Sequence, residues 1–183
     1  MKKVLGMAVA LIAVIAVLCF GLYNNKEAKV REEYIRIHIR ANSNSEIDQS
    51  VKLKVRDAVV TFLTPILSEA KTKEEAKEIL GGCLTEIKKV ADLVLFRESI
   101  DYKACATLDK EEFPERHYED LTLKEGEYDA LIINLGEGAG DNWWCIAFPP
   151  LCFVPDENTS IEYRSKILEI IEEWKEKNEK SND

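Results

Sequence analysis

EYIRIHIRANSNSEIDQSVKLKVRDAVV, residues 33–60, changes its period partway along. At its start Ile35, Ile37 and Ile39 alternate with Tyr34, Arg36, His38 and Arg40, the period of two by which a strand divides its side chains between two faces. That is a half-buried strand with an apolar inner face and a basic outer one. Asn42-Ser43-Asn44-Ser45 is turn chemistry, and Ser45 is placed to cap a helix. From Glu46 onward Ile47, Val51, Val55, Ala58, Val59, Phe62 and Ile66 recur at three and four, the apolar stripe of a helix that Pro65 ends or kinks.

Working outward, Thr72 and Glu75 form a capping box before a second helix. Its stripe is Ala76, Leu80, Cys83, Ile87, Val90 and Val94, and Gly81-Gly82 predicts a kink or break in its middle. IDYKACATL (100–108) and EYDALIINLG (127–136) read as strands, and CIAFPP as one more, stopped by its prolines. Residues 109–126 are polar and loop-like, with a short strand near Glu119 to Leu123. Thr159 with Glu162 opens a last amphipathic helix carrying Ile161, Ile167, Leu168, Ile171 and Trp174. Strands gather late instead of alternating with helices, so the expected class is α+β: a largely antiparallel sheet with helices packed on one face.

An N-terminal hydrophobic helix precedes this. After Lys2 and Lys3 come about 20 apolar or small residues, to Tyr23, enough to cross about 30 Å of hydrocarbon. The lysine pair keeps the N-terminus in the cytoplasm and sends the rest across. An uncleaved anchor, a cleaved signal peptide and a lipid anchor at Cys19 remain open, and all three put the domain outside the cytoplasm. The expected division is residues 1–24 as signal or anchor, 33–155 as the domain, and 156–183 as an amphipathic helix with an acidic tail.

The 183 residues carry 25 basic and 34 acidic side chains, net −9, with no basic cluster. Such a surface repels phosphate backbones, which argues against nucleic acid as a partner. Outside the cytoplasm cysteines are free to pair. Cys145 and Cys152, bracketing Pro149-Pro150, are the best local pair, whereas Cys83 and Cys105 read as small buried hydrophobes.

Catalytic chemistry is thin. A nucleophile needs a base in reach, and there are two histidines, His38 and His117, neither in a recognisable setting. No CxxC or HExxH points to zinc. LGEGAGD (135–141) follows a strand but lacks the Gly-Lys-Ser/Thr ending of a phosphate loop, and reads as a glycine turn. No catalytic residue, metal, cofactor or small-molecule substrate is therefore expected. GDNWWCIAFPPLCF (140–153) is the densest aromatic stretch. Adjacent tryptophans on an extended chain point to opposite sides, so one ring packs inward and the other faces out.

ANSNSEIDQSVKLKVRDAVV (41–60) and EYDALIINLGEGAGDNWWCIAFPPLCFV (127–154), in that order, resemble the stage II sporulation protein R family of endospore-forming Firmicutes. The resemblance runs from about Glu33 to Val154. It implies a signal made in the forespore and exported into the space between forespore and mother cell. There the family triggers a membrane-embedded aspartic protease, which removes the pro-sequence of a sigma factor. The family motif falls on Gly140, Asp141, Asn142, Trp143, Trp144, Cys145, Phe148, Pro149, Pro150, Leu151 and Cys152, and on Asn42, Ser43, Lys54, Arg56 and Asp57. The expected partner contacts are Asp141, Asn142, Trp143, Trp144, Phe148, Pro149 and Pro150, with the basic stripe Arg36, His38 and Arg40. The leader lacks a clear cleavage site, and the helix after Pro155 lies outside the motif. An extracytoplasmic hydrolase and a wall-glycan module stacking sugars on Trp143 or Trp144 are the competing readings.

Overall fold

A computed structural model describes residues 12, 14–16, 18, 31–118, 121–150 and 168–176. These form two compact units: residues 34–111 with 128–183, and residues 1–33 with 112–127.

The larger unit starts with β1 (Ile35–Arg40), followed by α1 (Glu46–Leu67), α2 (Lys73–Gly82) and α3 (Leu84–Arg97). Ser45 caps α1 by accepting from the Asp48 N–H at 3.1 Å, and Thr72 caps α2 by accepting from Glu75 N–H at 3.2 Å. Glu75 Oε2 in turn accepts from Lys71 N–H, closing a box-like exchange at 2.7 Å. Pro65 lies in the last turn of α1, which runs on only to Leu67. The double glycine ends α2, and α3 begins one residue later, after Cys83.

β2 (Ala104–Phe113), β5 (Gly126–Leu135) and β6 (Asn142–Phe148) join β1 in a sheet ordered β2-β5-β1-β6. The whole is an α+β fold with a mostly antiparallel sheet. β1 runs antiparallel to β6 but parallel to β5, a crossover made possible by the three helices between them. Ile35, Ile37 and Ile39 of β1, Leu131, Ile133 and Leu135 of β5, and Cys145 and Ala147 of β6 share one core with Val55, Val59 and Phe62 of α1 and Ile87, Val90 and Val94 of α3. Lys73 and Lys77 of α2 each reach an Asp129 carboxylate oxygen at 2.6 Å, fastening that helix to β5.

Three expectations are corrected here. β1 is an interior strand buried on both faces, so most of its basic side does not meet solvent: Arg36 is 0% exposed and His38 4%, and only the Arg40 side chain at the strand's end keeps 30%. Alternation reveals which residues share a face but not how many strands flank it or what covers it. Cys105 lies exposed on the edge strand β2, while Cys83 is buried as expected. β2 also extends to Phe113, into the stretch read as loop.

A helix occupies residues 168–176, with Ile170, Ile171 and Trp174 buried and Leu168 56% exposed. The inward stripe therefore includes Ile170 in place of Leu168, and Ile161 and Ile167 fall outside the described residues.

In the smaller unit β3 (Arg116–Tyr118) and β4 (Leu121–Leu123) form an antiparallel hairpin in which Arg116 pairs with Leu123. Phe113 and Leu123 are its buried residues, and Arg31 donates to the Glu125 carbonyl at 3.1 Å. Ile12, Val14, Ile15 and Leu18 of the leader are helical and exposed. The rest of the hydrophobic leader lies outside the described residues, and among those described no helix is long and apolar enough to cross a membrane.

Candidate functional site

The turn after β1 and the loop after β5 interlock. Every backbone N–H from Gly136 to Asp141 is donated within the protein. Gly136 donates to Lys103 O (3.0 Å), Gly138 to Leu135 O (3.0 Å), Ala139 to Asn42 O (3.1 Å) and Gly140 to Ala41 O (2.9 Å). Glu137 donates to Asn42 Oδ1 at 3.0 Å and Asp141 to Asn44 Oδ1 at 2.6 Å. A phosphate-binding loop needs these N–H groups free, so the glycine-rich stretch is a clamped turn and not an anion cradle. Two glycines are required sterically. A Cβ on Gly140 would sit 2.2 Å from the Ser43 carbonyl oxygen, and Gly136, at φ +56°, would place one 2.3 Å from Asn42 Oδ1.

Asp48, in the first turn of α1, is the hub beneath this junction. Its Oδ2 accepts from Ser43 Oγ (2.5 Å) and Asn42 Nδ2 (3.0 Å), and its Oδ1 from the Tyr102 hydroxyl (2.6 Å). Burial works to raise this carboxyl, but the hydrogen bonds from Ser43, Tyr102, Asn42 and Ser45 outweigh it and hold it below the usual carboxylate range. Tyr102 is pushed the other way, by burial and by its bond to that carboxylate. Asn42 thus joins both stretches, donating to Asp48 and accepting from Glu137. One turn on, Lys52 is 6% exposed and donates to Gln49 Oε1 (2.7 Å) and the Asp141 carbonyl (2.9 Å).

Out of this junction runs β6, whose two tryptophans take opposite sides. Trp143 pairs with Ile39 and packs, half-buried, against the helix-side core. The Arg56 guanidinium stands 5.7 Å from its ring centroid, while Arg56 Nε donates to Asp57 Oδ1 at 2.6 Å. Trp144 pairs with His38 on the other face, with ring centroids 5.5 Å apart. There His38 Nδ1 meets Glu111 Oε2 at 2.7 Å, and Arg40 bonds both Glu111 and, at 3.3 Å, Asn134 Oδ1. Arg36 stacks 5.1 Å from the Tyr128 ring centroid. Burial lowers His38 to about 4, helped by Arg40 and Arg36 against a hydrogen bond with Asn142, so the imidazole is neutral near pH 7.

The sequence-derived contacts therefore divide. Asp141, Asn142, Pro149 and Pro150 are exposed, and Trp143 and Phe148 half-buried. Trp144, Arg36, His38 and Arg40 belong to the opposite face of the sheet. Cys145 is in a disulfide, and its partner lies outside the described residues, as do Leu151 and Cys152. Cys83 is a poor nucleophile, its thiol pushed up to about 12 by burial and by Glu86. Among the described residues no cluster of His, Cys, Asp or Glu is arranged to hold a metal. The hub residues Asp48, Lys52 and Tyr102 escaped sequence reading. The Ser45-x-x-Asp48 spacing was a local signal for the first, but nothing local marks the others.

The family model described as stage II sporulation protein R matches residues 31–159. Stage II sporulation protein R of Bacillus subtilis (strain 168) is 34% identical over 175 residues, covering 87% of this chain and 78% of that protein. No solved structure is significantly similar. The matched region contains the whole clamp from Asn42 to Trp143, and the chain belongs to the stage II sporulation protein R family.

Proposed function

We propose that this chain is an exported signal of sporulation that switches on a membrane-embedded aspartic protease from outside the cytoplasm, so that the protease removes the pro-sequence of a sigma factor. It acts as a ligand and not as an enzyme. One observation carries this reading: the two stretches of the family motif form one clamped junction that spends its backbone donors internally and presents side chains at its rim. An arrangement of that kind fits presentation to a partner, because a preorganised surface loses little entropy on binding. Asp141, Asn142 and Trp143 are the contacts, and the Trp144 side of the sheet supports them from beneath. The long apolar leader delivers the domain across the membrane and accounts for its exposed apolar residues Ile12, Val14, Ile15 and Leu18.

The test is made in a non-sporulating bacterium producing the candidate protease and its sigma-factor precursor. Full-length chain is expected to trigger precursor cleavage, and a leaderless form trapped in the cytoplasm is not. Equal cleavage by the leaderless form refutes signalling from outside. No cleavage by folded, exported chain refutes the activator role.

A further inference from the structure

We infer that the partner is received on a rim built jointly by α1 and the start of β6, and that the segment it receives carries a cation beside an apolar side chain. This rests on the signalling function proposed above and names the chemistry of its contact.

The apolar half of the rim is Trp143 with Leu53. Gln49, Lys52 and Arg56 border the clamp: Gln49 donates to Ser43 O at 3.0 Å, Lys52 to Asp141 O at 2.9 Å, and Arg56 stacks on Trp143. Leu53 lies four residues from Gln49 and three from Arg56, so it stands on the same helix surface, one step toward solvent. It is 41% exposed and so offers apolar surface on that side of the helix. Arg56 is already engaged by Asp57, so the ring and the leucine meet the partner beside a neutralised ion pair.

The charged half comes from the clamp. Glu137 and Asp141 are exposed, and their main-chain N–H groups are tied inward to Asn42 and Asn44. Their backbone is thus immobilised while their carboxylates are left to solvent. Lys52 feels the charge of Asp141 but is itself buried and spends its hydrogen bonds on main-chain and amide oxygens, so both carboxylates stay exposed. A partner bringing lysine or arginine to these carboxylates, and an apolar side chain to Trp143 and Leu53, completes both halves. The net charge of −9 favours its approach.

The test uses full-length chain in the same processing system, with exported protein quantified by immunoblot and its folding checked by protease resistance. Leu53→Ser, and Glu137→Lys with Asp141→Lys, are each expected to lower precursor cleavage by about tenfold. The same charge change placed elsewhere, Glu74→Lys with Glu78→Lys on α2, is expected to leave cleavage within about twofold. If wild type triggers cleavage and the folded rim variants match it, the inference is overturned while the signalling function stands. If the α2 variant falls as far as the rim variant, net charge and not this rim is responsible, and the inference is again overturned. If wild type itself triggers nothing, the signalling function fails and takes the inference with it.

Discussion

Asp48→Asn is the perturbation that most directly probes the clamp. The substitution keeps the shape of the side chain and removes its charge. In the native protein Oδ2 accepts from Ser43 and Asn42, and Oδ1 from Tyr102. The asparagine oxygen can keep the first two, and its NH₂ then faces the Tyr102 hydroxyl, which must turn to accept. Three charge-assisted bonds become neutral ones, at about 1 kcal/mol each or somewhat less. The loss is therefore about 2–3 kcal/mol, or about 5–10 °C in a domain of this size.

The acid dependence gives a second readout. The folded Asp48 carboxyl lies below its ordinary value of 3.8, so the unfolded chain takes up the proton first as pH falls. Its stabilising contribution is complete above that ordinary value and is lost as pH drops through the folded one. Urea unfolding followed by tryptophan fluorescence at pH 7 and across pH 5 to about 2.5 measures both effects. The variant is expected to be less stable at pH 7 and to lose less on acidification. An unchanged midpoint at pH 7, or an acid limb as steep as that of wild type, refutes the hub role of Asp48.

Other perturbations separate the remaining parts. Gly140→Ala must displace the Ser43 carbonyl and is expected to cost about 2 kcal/mol, whereas Gly82→Ala meets nothing within 4 Å and should be neutral or slightly stabilising; equal midpoints in denaturant contradict this. His38 is held near 4, below its ordinary 6.5, so its stabilising contribution is complete above 6.5 and lost between 6.5 and 4. His38→Gln should flatten the stability profile across that window, and a wild-type profile already flat there refutes the assignment. Under native conditions iodoacetamide should modify Cys105 and spare Cys83 until the chain is unfolded, as peptide mass spectrometry will register; early labelling of Cys83 contradicts its burial.

Local chemistry made much of the fold legible. The change of period at residues 41–46 marks the passage from β1 to α1, and Ser45, Thr72 and Gly81-Gly82 mark helix boundaries close to where they occur. Asp109, Lys110, Glu111 and Glu112 concealed the end of β2, because an edge strand tolerates charges that read as loop. Arg36 and His38 were placed in solvent because a period of two does not reveal that β1 has a neighbour on each side and a covered second face. At the site, the opposite pointing of Trp143 and Trp144 follows from strand geometry and holds, but Trp144 lies half-buried against His38 instead of facing out. What no local pattern could convey is the joining of Asn42 and Asn44 to residues nearly a hundred positions later. Tyr102, which closes the Asp48 hub, lies 54 positions from it, and only tertiary packing, with β1 beside β5, brings these groups together.

The central claim is that the rim of α1 and β6 touches the protease. It is tested most directly by placing a photo-crosslinking benzoylphenylalanine at residue 53 in full-length chain produced with the protease, and the same group at residue 78 on α2. Illumination is expected to join the chain to the protease from residue 53 and not from residue 78. Crosslinking from residue 78 with none from residue 53, in a chain that still triggers processing, would contradict that claim.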